Sequence, residues 1–351
     1  TYGSCPEWYG TDRVRYLAFQ RPSCKGMGAR VSTNDAIRWG LLGTGRINEK
    51  LMRGASGTET AEVVAVGSRS AETGQAFAKA NGIARAHASY EALLADPEVD
   101  AIYIPLPNSM HHPWTLKAIE AGKHVLCEKP YTRHPLQVDA AWDAAEAAGV
   151  VLMEAYMWRH TPQAARLKEL AGRIGELIHV RSTFSHRLDD DADIRVNAEL
   201  EGGSLMDVGC YCISGARLIA GEEPTSVYGE QVTAANGVDR RFTGVLSFPS
   251  GLVATFHSGF DSFSESLEVT GREGTVFLPD PWHSQRGLLI VDGEEQTVER
   301  RNPYQCELED MAADIRGEKE PLLGRADAMG QARVIEALYR SAGTGEPIRL
   351  A

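Results

Sequence analysis

The stretch IRWGLLGTGRINEK, Ile37 to Lys50, decides the fold. An apolar run from Ile37 to Leu42 passes directly into Gly43 and Gly45 and then into a helical stretch from Ile47 toward Met52. That order is strand, tight turn, helix. Gly43, Gly45 and Asn48 occupy the special positions of a GxGxxG/A turn. In such a turn the first glycine permits the reversal and the second lets the backbone approach a pyrophosphate. The free amides at the helix start, here Thr44, Arg46 and Ile47, hold its negative charge. Asn48 replaces the usual small third residue, which predicts a helix set slightly further from its strand. Glycines that merely make a βα turn would share this spacing, so the surrounding pattern has to carry the reading.

That pattern is regular from Ala36 onward. The apolar run Ala61 to Val66 precedes a helix pattern at Ala71 to Ala80 that stops at Gly82, and a short Ser89-led helix precedes the run Ala101 to Ile104. His124 to Cys127 and Val150 to Met153 read as two further strands, separated by Ala-rich helices ending at Gly122 and Gly149. The alternation predicts a Rossmann-type, doubly wound parallel sheet over residues 36–157. After Pro162 the character changes. One helix is followed by β-rich runs at Leu177 to Ser185, Ser226 to Thr233, Phe242 to Phe248, Leu252 to His257 and Ser266 to Val269. Helical stretches at Glu307 to Ile315 and Ala326 to Ser341 close the chain. Residues 158–351 are therefore expected to form an α+β domain on a large, mostly antiparallel open sheet that needs no crossover helices.

The totals suit this division. With 351 residues and 43% hydrophobic composition the chain can fill two ordinary domain cores. A net charge of −12 argues against a nucleic-acid partner, and no apolar run reaches the roughly 18 residues of a membrane helix. The six cysteines, Cys5, Cys24, Cys127, Cys210, Cys212 and Cys306, form no CxxC or zinc pattern and read as reduced thiols. Residues 1–35 lack a repeating apolar period and are read as an extension outside the fold. A cytoplasmic protein is expected, with a removed leader left open because the chain opens on Thr1.

The end of the second strand indicates which dinucleotide is bound. A NAD site usually places Asp or Glu there for the ribose 2′-hydroxyl, whereas this chain has Gly67, Ser68, Arg69 and Ser70. A guanidinium beside a hydroxyl suits a 2′-phosphate, so NADP is the expected cofactor, with NAD also possible. Arg69 as a solvated charge at a helix entrance is the bland alternative.

Two later segments carry chemistry. Glu128, Lys129 and Pro130 follow a strand at the carboxyl edge of the parallel sheet, where ligands bind in such folds. Far along the chain comes GGSLMDVGCY, Gly202 to Tyr211. With an EKP segment, a GGxxxDxGxY segment and PNSMH at Pro107 to His111, the chain resembles the glucose-fructose oxidoreductase, inositol dehydrogenase and MocA family from Ala36 to its end. Tyr211 stands where inositol dehydrogenases of that family carry His. The run MEAYMWRHTPQ, Met153 to Gln163, is similar to the dimeric dihydrodiol dehydrogenases and NADP-dependent xylose dehydrogenases.

The resemblance implies hydride transfer between a nicotinamide and a sugar or cyclic polyol, with aldose oxidation at C1 to the lactone preferred. It implies Lys129 and Tyr211 as the catalytic pair, with Asp207 orienting the sugar hydroxyl or Lys129. It further implies cofactor contacts from Pro105, Leu106, Asn108, His111 and Glu128, and a homodimer or homotetramer joined through the C-terminal sheet. Chemically, oxidation of a hydroxyl needs a base. An ammonium about 4 Å from Tyr211 would contribute up to roughly 4 kcal/mol at an effective dielectric near 20, enough to bring the phenol toward neutrality. Tyr156 and Arg159 are candidate substrate contacts. A salt bridge for Lys129 with Glu128, and core packing for Tyr211, are the ordinary readings of those residues. Reaction at another ring hydroxyl or ketone, a hydride-borrowing glycosidase and a non-catalytic NADP sensor remain the competing functions. No metal is expected. The Asp189, Asp190, Asp191 and Asp193 run lacks the glycine and terminal Glu of a calcium loop, and Cys210 with Cys212 lacks further ligands.

Overall fold

The computed structural model describes residues 35–190 and 192–350. The expected extension therefore lies, except for Asp35, outside the described residues, as do Cys5, Cys24 and Asp191.

The N-terminal half alternates as read: β1 (Ile37–Leu42), α1 (Asn48–Ala55), β2 (Ala61–Gly67), α2 (Ala71–Asn81), β3 (Arg85–His87), α3 (Tyr90–Leu94), β4 (Ala101–Ile104), α4 (Asn108–Glu120), β5 (His124–Glu128), α5 (Pro135–Ala148) and β6 (Leu152–Ala155). The strands form one sheet in the order β3-β2-β1-β4-β5-β6, every pair parallel. The order reverses between β1 and β4, and that switch point lies beside the glycine turn. Helix limits follow local chemistry. Ser70 and Ser89 cap α2 and α3 by accepting from Thr73 N and Ala92 N, and Gly149 ends α5 in the left-handed region.

The second half contains α6 (Pro162–Ala171), β7 (Leu177–Ser185), α7 (Cys210–Ala220), β8 (Ser226–Thr233), β9 (Asp239–Ser247), β10 (Val253–Gly259), β11 (Ser264–Gly271), β12 (Thr275–Leu278), β13 (Leu288–Val291), β14 (Glu294–Thr297), α8 (Pro303–Ile315), α9 (Arg325–Thr344) and β15 (Ile348–Arg349). Its strands order as β14-β13-β12-β11-β7-β10-β9-β8-β15. The sheet is mostly antiparallel, as expected, and one expectation, that its strands follow without helices between them, needs correction. The central pair β7 and β10 is parallel, while the other pairs among the described residues are antiparallel. The connection from β7 to β8 does contain a helix, α7. Nearly every α7 residue is buried, so it shows no polar face and no amphipathic period to read.

One apolar cluster runs from Trp39 and Tyr103 under the parallel sheet, through Tyr156 and Trp158, to Phe184, Phe242 and Trp282 under the large one. The last two long helices lie across this junction, α8 packing along α1 and α9 along α5.

Glu154 on β6 is 2% exposed at the core of this junction. One carboxyl oxygen accepts from Tyr131 N at 2.7 Å and the other has no partner. Burial, reinforced by the Asp327 charge, pushes its pKa up to about 8 from an ordinary 4.5, against the pull of the Tyr131 amide, Arg217 and Arg159. Between those values the folded chain keeps a proton that the unfolded chain has lost, so Glu154 makes stability fall as pH rises. A Glu154→Gln variant lacks that slope. Its stability relative to the parent should rise by about 2–4 kcal/mol from about pH 5 to about pH 8. Urea unfolding across that range checks this, and a pH-independent difference would overturn it.

Candidate active site

A cleft of about 710 Å³, within the usual size of small-molecule sites, opens along the carboxyl edge of the parallel sheet. The glycine turn forms one wall. Gly43 has φ +105° and its amide donates to Gly67 O at 2.9 Å, fixing the turn to the end of β2. A Cβ on Gly45 would meet nothing within 4 Å, so the backbone there faces open space, and Gly45, Arg46 and Ile47 line the cleft. The residues present thus fit a dinucleotide: an uncovered backbone and a helix start, with no side chain filling the space. Thr44 completes the turn without lining the cleft. Asn48 has a positive function. It is wholly buried, and its Nδ2 donates to Gly43 O at 2.8 Å, so the side chain braces the turn from beneath.

Ser68 and Arg69 stand at the end of β2, outside the cleft lining. Ser68 is buried and its Oγ accepts from Ser70 N at 3.2 Å. Arg69 is exposed and lies beside the Tyr90 hydroxyl, which in turn lies against Gly43. The guanidinium is therefore next to the glycine turn and open to solvent.

Pro105, Leu106, Asn108 and His111 form the next wall. The His111 ring is clamped, with Nδ1 2.9 Å from Pro130 O and Nε2 2.8 Å from Leu106 O. It braces the segment after β4 against the one after β5. Burial pushes its pKa down although both carbonyls favour the protonated ring. Asn108 Nδ2 donates to Glu201 O at 2.7 Å, reaching the second half of the chain.

Glu128 and Lys129 end β5. Glu128 accepts from the Tyr103 hydroxyl and, at 3.3 Å, from the Lys129 amide, and burial raises its pKa. The Lys129 ammonium turns away from it, donating to Asp207 O at 2.7 Å with Asp207 Oδ1 at 3.5 Å. Asp207 sits in a π-helical turn, Leu205–Gly209, just ahead of α7. Its other oxygen lies 2.9 Å from His186 Nε2 and 3.3 Å from Arg195 Nε. Burial acts to raise the Asp207 pKa, but Lys129, His186 and Arg195 outweigh it and hold the carboxyl far below the usual range. Burial likewise acts to lower the Lys129 pKa, and the Asp207 carboxylate reverses this, so the ammonium stays charged.

Asp239 holds the π turn in place. It accepts from Leu205 N at 2.7 Å, Ser204 Oγ at 2.8 Å and the Tyr339 hydroxyl at 2.8 Å. Gly203, at φ +125°, precedes the turn, and a Cβ there would lie 2.1 Å from Asp239 Oδ1. Gly203 is thus demanded by the turn's anchorage, and a Cβ on Gly202 would lie 2.3 Å from Arg195 O.

Tyr211 lines the cleft beside Lys129, whose ammonium lies 4.9 Å from the ring centroid. The phenol donates to Met157 Sδ at 3.6 Å, and the ring meets Phe184 and Tyr156 edge-on. The expected lowering of its pKa toward neutrality is not found. Burial pushes it well above its ordinary value, and the neighbouring Tyr304, Glu128, Cys210 and Asp207 add to the rise, while the Lys129 ammonium lies over the ring. Tyr211 is a neutral phenol through the neutral pH range.

Tyr156 and Arg159 do not line the cleft. Tyr156 is fully buried with its hydroxyl accepting from Gln331 Nε2 at 3.0 Å. Arg159 points to the opposite side of the junction, donating to Ser214 Oγ at 3.1 Å near Asp327. Following a strand in sequence does not fix which way a side chain faces. Besides Asp207 and Tyr211, residues that enter the cleft from the second half include Phe184, His186, Asp193, Arg195, His283 and Tyr304. They come from a strand end, a loop and a helix start and share no motif. The acidic run was the only pointer to that loop. Asp189 pairs with Arg187, Asp190 caps Ala192 N, and Asp193 pairs with Arg195. Among the described residues no group of three or more His, Cys, Asp or Glu is placed to hold a metal ion, and Cys127, Cys210, Cys212 and Cys306 are free and buried. Among the described residues no helix is long and apolar enough to cross a membrane.

Residues 37–156 match the profile described as an oxidoreductase family with an NAD-binding Rossmann fold, and residues 163–277 match the GFO/IDH/MocA C-terminal domain. The chain belongs to the GFO/IDH/MocA oxidoreductase family. The family resemblance read from the EKP and GGxxxDxGxY segments is therefore correct. The chain is 39% identical over 325 residues to D-xylose 1-dehydrogenase (NADP(+)) 2 of Haloferax volcanii, covering 90% of this chain and 100% of that protein. It is 34% identical over 278 residues to dTDP-3,4-didehydro-2,6-dideoxy-alpha-D-glucose 3-reductase of Streptomyces violaceoruber, covering 76% and 81%. Among solved structures, aldose-aldose oxidoreductase from Caulobacter crescentus complexed with glycerol superimposes with a TM-score of 0.83 at 29% identity, covering 90% of this chain and 100% of that one.

Asp207 balances three basic groups inside a partly closed cleft. Asp207→Asn should lower stability at neutral pH by about 2–4 kcal/mol, because Lys129, His186 and Arg195 are left facing one another. A carboxyl whose pKa is depressed on folding contributes stability above its unfolded pKa, and that contribution is lost as pH falls through the folded value. The gap between variant and parent should therefore begin to narrow as pH falls through the ordinary carboxylate range and close only well below it. Denaturant unfolding over an acid series tests both points.

Proposed function

We propose that the protein is an NADP-dependent sugar dehydrogenase that moves a hydride between the nicotinamide and a carbon of an aldose, C1 oxidation to the lactone being the preferred reaction. The observation that carries the proposal is the convergence of Lys129, Asp207 and Tyr211 on the cleft that begins at the glycine turn. The 39% identity to an NADP-dependent xylose dehydrogenase supports the substrate class and the cofactor. The exposed Arg69 beside the turn, with Ser68 and no carboxylate at the end of β2, suits the 2′-phosphate of NADP.

When bound, the nicotinamide supplies the hydride acceptor or donor. The chain's own part is proton handling and charge. Lys129, kept charged by Asp207, presents an ammonium donor to the sugar oxygen and stabilises negative charge as it develops there. Among the described residues the Tyr211 hydroxyl bonds only a thioether, a weak acceptor, so a sugar oxygen readily takes its place as partner. In reduction Tyr211 gives its proton to that oxygen and is left as phenolate beside the Lys129 ammonium; in oxidation Tyr211 first releases its proton to solvent, and the phenolate takes the hydroxyl proton as hydride leaves for the nicotinamide. His186 and Arg195 hold Asp207, and so hold Lys129 in register. Assembly as a dimer or tetramer through the open face of the large sheet belongs to the same proposal.

A second reading, reduction of a sugar ketone, is favoured by one observation: both Tyr211 and Lys129 are protonated at neutral pH. A proton donor and an ammonium are what a carbonyl oxygen needs on becoming an alcohol. The 34% identical 3-reductase supports it.

Tyr211→Phe should lower kcat at least about 100-fold while NADP affinity stays within about twofold, because proton transfer is lost and little binding surface is. Retained turnover would remove Tyr211 from the chemistry. Arg69→Ala should raise KM for NADP on the order of tenfold and leave that for NAD nearly unchanged. Steady-state kinetics with both cofactors and a panel of neutral aldoses and keto-sugars reads out each effect.

A further inference from the structure

A second recess, of about 430 Å³, adjoins the cleft between α1, the loop carrying His283 to Gln285, and the segment Arg300 to Tyr304 that leads into α8. The two share Lys50, Met157, His283 and Tyr304 as walls. Met157 is also the residue that receives the Tyr211 hydroxyl. The recess therefore lies on the sugar's side of the site.

Its charge is one-sided. Lys50, Arg53, Arg300 and Arg301 line it, and no carboxylate does. Arg301 is balanced by Glu309 at 2.7 Å. The side chains of Lys50, Arg53 and Arg300 make no hydrogen bond or ion pair among the described residues, although Glu128 in the neighbouring cleft attracts Lys50. In a chain with 48 acidic and 36 basic residues, three unpaired cations around one recess run against the average. Lys50, Arg53 and Arg300 are exposed, and like charges grouped in a concave wall create a local field that favours an anion. The dinucleotide does not account for it. Neither Gly43 to Ile47, where its pyrophosphate belongs, nor Ser68 and Arg69, where its 2′-phosphate belongs, lines this recess.

We propose that this recess is an anion subsite for the far end of the substrate, so that the sugar taken by the cleft carries a phosphoryl or carboxylate group away from its reacting carbon. This rests on the dehydrogenase reading above and narrows its substrate class. Arg53 and Arg300 present planar forks suited to either group, and Lys50 stands between them and the reacting end. Energy from gripping the remote anion orients the ring over Lys129 and Tyr211.

The test uses the full chain loaded with NADPH, titrated calorimetrically with glucose, glucose 6-phosphate and glucuronate. At least one anionic sugar should bind on the order of tenfold or more tightly than glucose, and raising KCl should erase the advantage. The phosphate and carboxylate arms show which anion is preferred. A double Arg53→Gln, Arg300→Gln variant should lose the advantage, while the Arg53→Lys, Arg300→Lys pair keeps most of it and NADPH affinity is unchanged in both. Equal binding of glucose and both anionic sugars, or a Gln variant that loses NADPH and not sugar, would overturn the proposal. Binding is read without turnover. Anion-selective binding in a protein that oxidises and reduces no sugar would keep the subsite and reject the dehydrogenase; turnover of neutral aldoses without anion preference would do the reverse.

Discussion

The ammonium of Lys129 is the constraint on which the site depends. It is fixed at the end of β5, yet its partners, the carbonyl and carboxylate of Asp207, belong to a turn almost eighty residues further along the chain. To meet it, that turn must be π-wound, and its start must be held by Asp239, which leaves no room for a side chain at Gly203. A wider turn spends one extra residue per backbone hydrogen bond and is retained where it aims a group. Here it aims Asp207 at Lys129 and leaves Tyr211 at the start of α7 against the same cleft. The geometry of the cleft and the junction of the two sheets are one arrangement.

The parallel half was legible because it obeys local rules. Each apolar run is followed by a turn residue and a helix pattern, and capping residues such as Ser70, Ser89 and Gly149 mark the ends. The spacing around Gly43 and Gly45 located one wall of the cleft, and the spacing from Gly202 to Tyr211 the other. What escaped did so for physical reasons. Asn48 looked like a departure from a small residue, whereas its amide replaces closeness with a hydrogen bond. α7 is buried all round and so carries no stripe. β3, β12, β13, β14 and β15 have four residues or fewer, too short for an alternation to register. The parallel pairing of β7 with β10 is a long-range choice that neither strand encodes alone.

The site was legible only where chemistry and spacing coincide. His186, Arg195 and His283 come from segments with no shared spacing and are assembled by the fold. Tyr156 and Arg159 show the opposite failure: they follow β6 closely in sequence, yet one faces Gln331 and the other Ser214 and Asp327. The proton inventory was also misjudged from sequence, because the expectation counted the Lys129 charge and left out the cost of ionising a buried phenol. With Lys129 over the ring, burial decides, and Tyr211 keeps its proton.

The apolar cluster shared by both sheets, with α8 and α9 laid across it, bears on how the chain comes apart. Removing either half would expose Trp158, Tyr156 and the inner faces of both helices to water, so neither half is a self-sufficient foldon. Melting should be a single cooperative event, and a nick between β6 and α6 would leave two fragments held as one particle until both unfold together.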